Sequence, residues 1–435
     1  MKTVAFHTVG CKLNQYETSD LERQFRERGW GVAAFGAPAD VVVVNTCTVT
    51  GRSDARCRAA LRKARRDAPG ATVVATGCLA QAQPAAVAGL PEVDLVLGNR
   101  EKTAIFAHLD AAGKPRGARV AADAHAAGAP WPFTTLRAFP GHTRAFVKIQ
   151  DGCDARCAYC IVPQARGPNR SLAAADVVAQ VGALVDAGYR EVVLTGVHLG
   201  TWGRDLRPRA TLAGLLARLV ELPGLERLRL SSIEPTEFTP ELLALLAATP
   251  KVCPHLHVPL QSGSAAVLRA MGRPYGPEAF AALVGTLAAT LPSPAIGADL
   301  IAGFPGETEE DFAQTVRLVR SLPLTYLHVF PYSRRPGTAA AAMGGQVPPG
   351  DRERRAAALR ELGDALSHAF RERHVGSTVR ALVQGQPGRA RGATYGLTGN
   401  YLSVLVPGAA AHVGAFREIR VTRHEGGALH GEFCD

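Results

Sequence analysis

Over the first hundred residues, short apolar runs alternate with longer stretches whose apolar positions recur at helical spacing. Residues 4–8 read as a strand and 17–28 as a helix, with Leu21 and Phe25 one turn apart on a single face. Residues 41–44 are four consecutive valines, the pattern of a strand buried on both faces of a parallel sheet. Further strands are expected at 71–76 and 93–97, giving a first domain at 1–110. Residues 111–143 are rich in Ala, Gly and Pro without periodicity and read as a linker. Alternation then resumes. Strands are expected at 146–150, 191–195, 227–232, 255–260, 296–302 and 326–331. The helical patterns are 173–187, 210–221, 239–248, 277–290 and 308–321, with a charged closing helix at 351–374. Six strand–helix units in series predict a parallel α/β barrel, complete or partial, over 144–374. Residues 376–435 change character: strand-like runs at 379–383, 401–406 and 417–421, separated by Gly-rich turns, predict a small antiparallel β-barrel.

Composition narrows the class. The 435 residues exceed one ordinary domain, and 47% hydrophobic with 20% charged residues is ordinary globular chemistry. With no long unbroken apolar run and no signal-peptide pattern at its start, the chain is expected to be cytoplasmic, with no membrane partner. The formal charge of +11 points to a polyanionic partner, nucleic acid ahead of membrane.

The nine cysteines change the picture most. They stand at 11, 47, 57, 78, 153, 157, 160, 253 and 434, an irregular set that argues for metal ligation over a disulfide framework. Cys11, Cys47 and Cys78 each follow the end of an expected strand, 36 and 31 residues apart, about one strand–helix unit. All strands of a parallel sheet end on one edge, so the three thiols can converge there. Cys153, Cys157 and Cys160 form a CxxxCxxC run directly after the first barrel strand. Three thiolates in so short a loop can hold three irons of a four-iron cluster, leaving the fourth iron open to chelate S-adenosylmethionine (SAM). A zinc knot is the alternative, but it needs a fourth protein ligand, and His142 lies 11 residues before the motif.

CxxxCxYC at the head of an α/β barrel resembles the radical SAM superfamily. The segment from Val162 to Ser171 resembles the VP…RG…RS element of its methylthiotransferases, and Gly10-Cys11-Lys12-Leu13-Asn14, Asn45-Thr46-Cys47 and Gly77-Cys78 resemble that family's first domain. The resemblance implies an α/β chain with three parts: an N-terminal parallel-sheet (Rossmann-like) domain, a radical SAM partial α/β barrel, and a C-terminal small β-barrel of the TRAM type that binds RNA. It also implies two [4Fe-4S] clusters, the auxiliary one held by Cys11, Cys47 and Cys78. One SAM would methylate sulfur held there; a second would yield the radical that takes hydrogen from C2 of an adenine, where the methylthio group is then placed. The GCKLN sequence with Tyr16-Glu17-Thr18 resembles the branch acting on N6-threonylcarbamoyladenosine at position 37, in the tRNA anticodon loop. Isopentenyl-adenosine tRNA or a ribosomal protein aspartate are alternative substrates. A non-catalytic iron–sulfur RNA-binding sensor is an alternative of another class.

The resemblance places SAM contacts at barrel strand ends: Gly196, Ser231, Ser232, Glu234 and Gln261. Each is equally readable as a turn or cap residue. The 299–308 segment resembles the family's GFPGET element, with Thr308 a candidate N-cap. No side chain is assigned as catalytic, and Cys57, Cys253 and Cys434 read as ordinary free thiols. Residues 52–66 carry seven basic residues against one acid, and Arg52, Arg56, Arg62 and Arg66 form i, i+4 pairs on one helical face, expected to touch tRNA phosphates. Tyr395 and Tyr401 are candidate RNA contacts in the tail. A flavodoxin- or ferredoxin-like electron donor is implied as a partner, and a monomer is expected.

Overall fold

A computed structural model describes residues 1–110, 117–123, 133–139, 141–385 and 394–434. It divides into two compact units: Met1–Leu136, Gln150–Leu172 and Ser333–Ala342 in one; Arg137–Ile149, Ala173–Tyr332 and Met343–Asp435 in the other. Among the described residues no helix is long and apolar enough to cross a membrane.

The first unit is built on a six-stranded sheet: β1 (Thr3–Thr8), β2 (Gly31–Ala33), β3 (Val41–Thr46), β4 (Thr72–Gly77), β5 (Leu95–Leu97) and β6 (Arg119–Ala121). Their order is β2-β1-β3-β4-β5-β6 and every pairing is parallel. β3 is buried throughout, so its valines fill apolar layers on both sheet faces. Helix α1 (Lys12–Glu27) begins five residues before the expected start. Leu13 and Tyr16 carry the buried stripe of Leu21 and Phe25 a turn or more back, to a start at Cys11. Helix α2 (Gly51–Asp67) is N-capped by Thr50, whose side chain accepts from the Ser53 amide at 3.1 Å.

Two expectations on organisation are revised. The stretch read as a linker contributes β6, which pairs with β5 through only three residues, too few for a periodicity to register. Residues 111–116, 124–132 and 140 of that stretch lie outside the described residues. The cysteine loop, read as part of the barrel, packs with the first unit as residues 150–172, through buried polar contacts described below.

The second unit holds β7 (Ala145–Lys148); the two-residue strands β8 (Gln150–Asp151) and β9 (Arg170–Ser171) that follow it in sequence belong to the first unit. β10 (Glu191–Thr195) and β11 (Arg227–Leu230) join β7 in one parallel sheet, and β12 (His255–His257), β13 (Ala295–Ala302) and β14 (Tyr326–Pro331) form another. A single bridge, Leu228 to Val252, and an Ile233 amide bond to the His257 carbonyl (3.0 Å) link the halves into a partial barrel. The tail forms a closed five-stranded barrel of β15 (Thr378–Gln384), β16 (Thr394–Thr398), β17 (Ser403–Val406), β18 (Phe416–Glu425) and β19 (Ala428–Phe433). It is docked by two arginines of β11. Arg227 donates to the Leu397 carbonyl (2.9 Å), and fully buried Arg229 donates to those of Thr398 (3.1 Å) and Gly399 (2.9 Å) while paired with buried Glu191 at 3.1 Å.

Candidate cluster and substrate site

The parallel sheet does what the spacing required. β1, β3 and β4 end on one edge, and Cys11, Cys47 and Cys78 stand just past those ends. Gly10 (φ +119°) precedes Cys11, and a Cβ there would lie 2.9 Å from the Cys47 Cβ and 3.3 Å from its Sγ. Gly77 (φ +92°) precedes Cys78, where a Cβ would sit 2.5 Å from the Thr46 carbonyl oxygen. Glycine at these two positions therefore lets the loops close on one another. Cys11 is exposed while Cys47 and Cys78 are buried. Burial, with Cys78 and Cys11 beside it, pushes the Cys47 thiol up to about 11. Burial also raises Cys78, a rise that the nearby Arg166 guanidinium opposes. Cys11 acts electrostatically on both Cys47 and Cys78, and Cys78 on Cys47.

Cys57 lies against this edge. The Cys47 amide donates to its Sγ at 3.3 Å, and that thiol donates back to the Cys47 carbonyl at 3.4 Å. Burial pushes Cys57 up to about 12, so it braces the Cys47 loop as a neutral thiol.

The CxxxCxxC loop folds onto the same unit. The Cys153 amide donates to the Gly167 carbonyl and the Cys160 amide to that of Cys157, both at 3.0 Å. Gly152 (φ +74°) passes so close to Pro168 that a Cβ would fall 1.9 Å from its carbonyl oxygen. Arg166, at the end of the short helix Val162–Arg166, is buried beneath the loop. Its guanidinium donates to Glu17 (2.9 Å), Asp151 (3.1 Å) and the Asn14 side-chain oxygen (2.7 Å). Asn14 in turn donates to the Val9 carbonyl (2.7 Å) and the Thr46 carbonyl (2.9 Å), gripping the loops that lead to Cys11 and Cys47. At the other end Asp151 accepts from the Gly152 amide at 2.8 Å, one residue before Cys153. Lys102 completes the cluster, donating to Glu17 (2.6 Å) and Asn99 (2.7 Å), while Asn99 donates to the Ala165 carbonyl at 2.7 Å. One sealed chain of hydrogen bonds thus runs from one cysteine triad to the other. The segment Ser333–Ala342 adds a second tie: Arg335 pairs with Asp54 of α2 at 2.6 Å, and the Ala340 amide donates to the Ala158 carbonyl at 2.8 Å.

In the second unit the expected SAM contacts occupy strand ends with different surroundings. Gly196 follows β10 directly. Ser231 and Ser232 follow β11, and the buried Ser231 Oγ has no hydrogen-bond partner among the described residues. Such an orphaned hydroxyl fits a site completed by a polar ligand. Glu234 is engaged in an ion pair with Arg273, so its carboxylate has a structural partner. Gln261 takes a left-handed backbone (φ +70°), rare for a residue with a side chain, and is held by bonds to the Asp299 carbonyl (2.8 Å) and from the Ile301 amide (2.9 Å). Thr308 caps its helix through a reciprocal box with Asp311.

Three family models match in series: one described as "Uncharacterized protein family UPF0004" over residues 3–98, the radical SAM superfamily over 147–319 and the TRAM domain over 372–434. The chain is 37% identical to threonylcarbamoyladenosine tRNA methylthiotransferase MtaB of Bacillus subtilis (strain 168), over 97% of this chain and 94% of that protein. The chain belongs to the threonylcarbamoyladenosine tRNA methylthiotransferases. A tRNA-2-methylthio-N(6)-dimethylallyladenosine synthase of Parafrankia sp. (strain EAN1pec) is 38% identical over 94% of this chain and 84% of its own length. Among solved structures, the radical S-adenosylmethionine methyltransferase TsrM from Kitasatospora setae shares the fold. Its TM-score is 0.55 at 21% identity, covering 78% of this chain and 77% of that one. As a member of this family the chain uses iron–sulfur and SAM chemistry.

The cysteines fit iron–sulfur ligation: each triad offers three thiols, one set at a sheet edge and one in a loop, and the Arg166 guanidinium opposes the rise that burial imposes on Cys78. The arginines expected to meet tRNA are all exposed on α2: Arg52, Arg56, Arg62 and Arg66, opposite the buried Asp54, Cys57, Leu61 and Ala64. Tyr401, expected to meet RNA, stacks on His255 at 4.5 Å, with the Arg229 guanidinium 4.7 Å from its ring centre, and stays 37% exposed. Sequence reading missed the Arg166 network. It also missed a set on β12, β13 and β14: His257, Asp299 and His328. The alternation of Tyr326, His328 and Phe330 against Leu327 and Val329 was the available signal.

Proposed function

We propose that this protein converts N6-threonylcarbamoyladenosine at tRNA position 37 to its 2-methylthio derivative. The observation that carries the reading is the meeting of both cysteine triads within one compact unit, linked through Asn14, Arg166 and Asp151. Cys153, Cys157 and Cys160 would hold one [4Fe-4S] cluster, and Cys11, Cys47 and Cys78 the other. When bound, clusters and SAM supply one-electron sulfonium cleavage and the sulfur that is methylated and transferred, reactivity that side chains lack at an unactivated aromatic C–H.

The chain's own residues do the rest. Gly10, Gly77 and Gly152 let the cysteine loops approach closely, and the Arg166 network ties them together through direct hydrogen bonds. Ser231, Ser232, Gly196 and Gln261 supply polar groups at the strand ends for SAM; Glu234 acts through Arg273. The exposed arginines of α2 engage tRNA phosphates, and an external reductant of the flavodoxin or ferredoxin type supplies electrons. The test is anaerobic incubation of the reconstituted chain with SAM, dithionite and tRNA. Release of 5′-deoxyadenosine that is lost in Cys153→Ala is expected. A cluster-bearing protein that releases none is a sensor rather than an enzyme.

A further inference from the structure

On β12–β14 one face carries His255 and His257, Gly297 and Asp299, and Tyr326, His328 and Phe330. The opposite face is apolar: Leu256, Ile296, Ala298 and Leu300 are buried, and Leu327 packs against the helix Pro349–Glu372 at Gly363. The polar face is ordered from a closed end to an open one. At the closed end the Tyr326 hydroxyl bridges His255 Nε2 (3.0 Å) and His257 Nδ1 (3.1 Å), its ring lying across Gly297, where a Cβ would fall 1.9 Å from it. Next, Asp299 Oδ1 meets His257 Nε2 at 2.9 Å and His328 Nδ1 at 3.4 Å. Burial alone would raise the Asp299 pKa; hydrogen bonds and charge from His257 and His328 outweigh it and hold the carboxyl well below the usual range. At the open end the His328 side chain is 55% exposed and Phe330 is 40% exposed.

Each ring is therefore aimed by the one behind it. Asp299 faces Nδ1 of His328, which directs the proton of a neutral imidazole to that nitrogen and leaves Nε2 as an acceptor. Nε2 carries no partner among the described residues, and Phe330, two residues along the same face, offers an exposed aromatic surface for a base or planar substituent. The two kinds of relative found for this chain differ in their N6 substituent. A threonylcarbamoyl group carries N–H and O–H donors; a dimethylallyl group carries none. Covering Nε2 with the apolar group strands a polar atom, whereas the polar group satisfies it.

We propose that His328, oriented by Asp299, His257 and Tyr326, is the specificity-determining residue that selects a polar, hydrogen-bond-donating N6 substituent on the substrate adenosine. The inference rests on the threonylcarbamoyladenosine reading above and assigns it a residue. The test uses the reconstituted full chain with anticodon stem-loops bearing threonylcarbamoyl- or isopentenyl-adenosine at position 37, with kcat and KM followed by nucleoside mass spectrometry. In the wild type the polar substituent is preferred. His328→Leu lowers the kcat/KM ratio of polar to apolar substrate about tenfold or more, mainly through KM, and His328→Gln, which retains an acceptor, recovers most of it. An unchanged ratio in a folded His328→Leu variant overturns the assignment while leaving the substrate reading intact. A wild type that prefers the isopentenyl stem-loop overturns both, and is recognised without any variant. Metal analysis of the same samples gives the remaining contrary result: one non-cluster divalent ion per chain, lost in His328→Leu, makes His257, Asp299 and His328 ligands instead.

Discussion

Two polar clusters in this molecule are each organised around an aspartate and behave oppositely. Around Arg166, the charges of Glu17, Lys102 and Asp151 are all buried and each is met by a counter-charge or an amide. Around Asp299, the chain of His255, Tyr326 and His257 is closed at one end and ends at the other in an exposed imidazole and an exposed ring. The sealed cluster spends its hydrogen bonds on its own members and on the cysteine loops, so its function is to position: it ties two cysteine loops together. The open cluster has an unspent acceptor, so it can recognise. Buried charge is weak evidence for stability in itself, but breaking such a pair is costly, and that difference makes the comparison testable.

The largest effect is expected at the sealed end. Arg166→Met leaves Glu17 and Asp151 buried without their cation and should cost about 3–5 kcal/mol in urea unfolding of the apo-protein. A loss below about 1 kcal/mol would mean that water reaches this cluster. Next come open charges of another kind. Arg62→Ala with Arg66→Ala removes two exposed cations from α2. It should weaken tRNA binding and make the plot of log affinity against log salt shallower by about 1.4–1.8. An unchanged slope would assign that face to solvent alone. A smaller effect is expected at Asp299. Its folded-state pKa is depressed, so its contribution is present above the unfolded value of about 3.9 and is lost as pH falls toward the folded one. Asp299→Asn should therefore lose less thermal stability than the wild type on acidification from pH 6 to 3. An equal loss would show that the carboxylate is not held by its histidines. The smallest effect is His328→Leu, whose exposed ring should change unfolding free energy by no more than about 0.5 kcal/mol, although its substrate ratio moves.

Much of the architecture was legible because parallel strands announce themselves. Four valines in a row at 41–44 permit little but a doubly covered strand, and strand ends one βα unit apart put Cys11, Cys47 and Cys78 on one edge. The strand at 255–260 is shorter than expected, ending at His257, because Pro259 has no amide to donate to a ladder. What stayed hidden depends on long-range pairing. Arg166 lies in a run of polar residues and small helix breakers, where an exposed or phosphate-binding arginine reads equally well; its burial is decided by Glu17 and Asn14, about 150 residues away. For the same reason the cysteine loop's membership of the first unit could not be read from local pattern. The stacking of Tyr401 on His255 and Arg229 was hidden too, because nothing nearby in sequence shows that they meet its ring.

The central claim is that the paired cysteine triads place a methylthio group on threonylcarbamoyladenosine. It is tested most directly by mass spectrometry of tRNA nucleosides from a host lacking this activity, carrying the wild-type gene, Cys153→Ala or Cys47→Ala. The account predicts 2-methylthio-threonylcarbamoyladenosine with the wild type alone. Its absence from cells holding soluble, iron-loaded wild-type protein, or its persistence in either variant, would contradict the account.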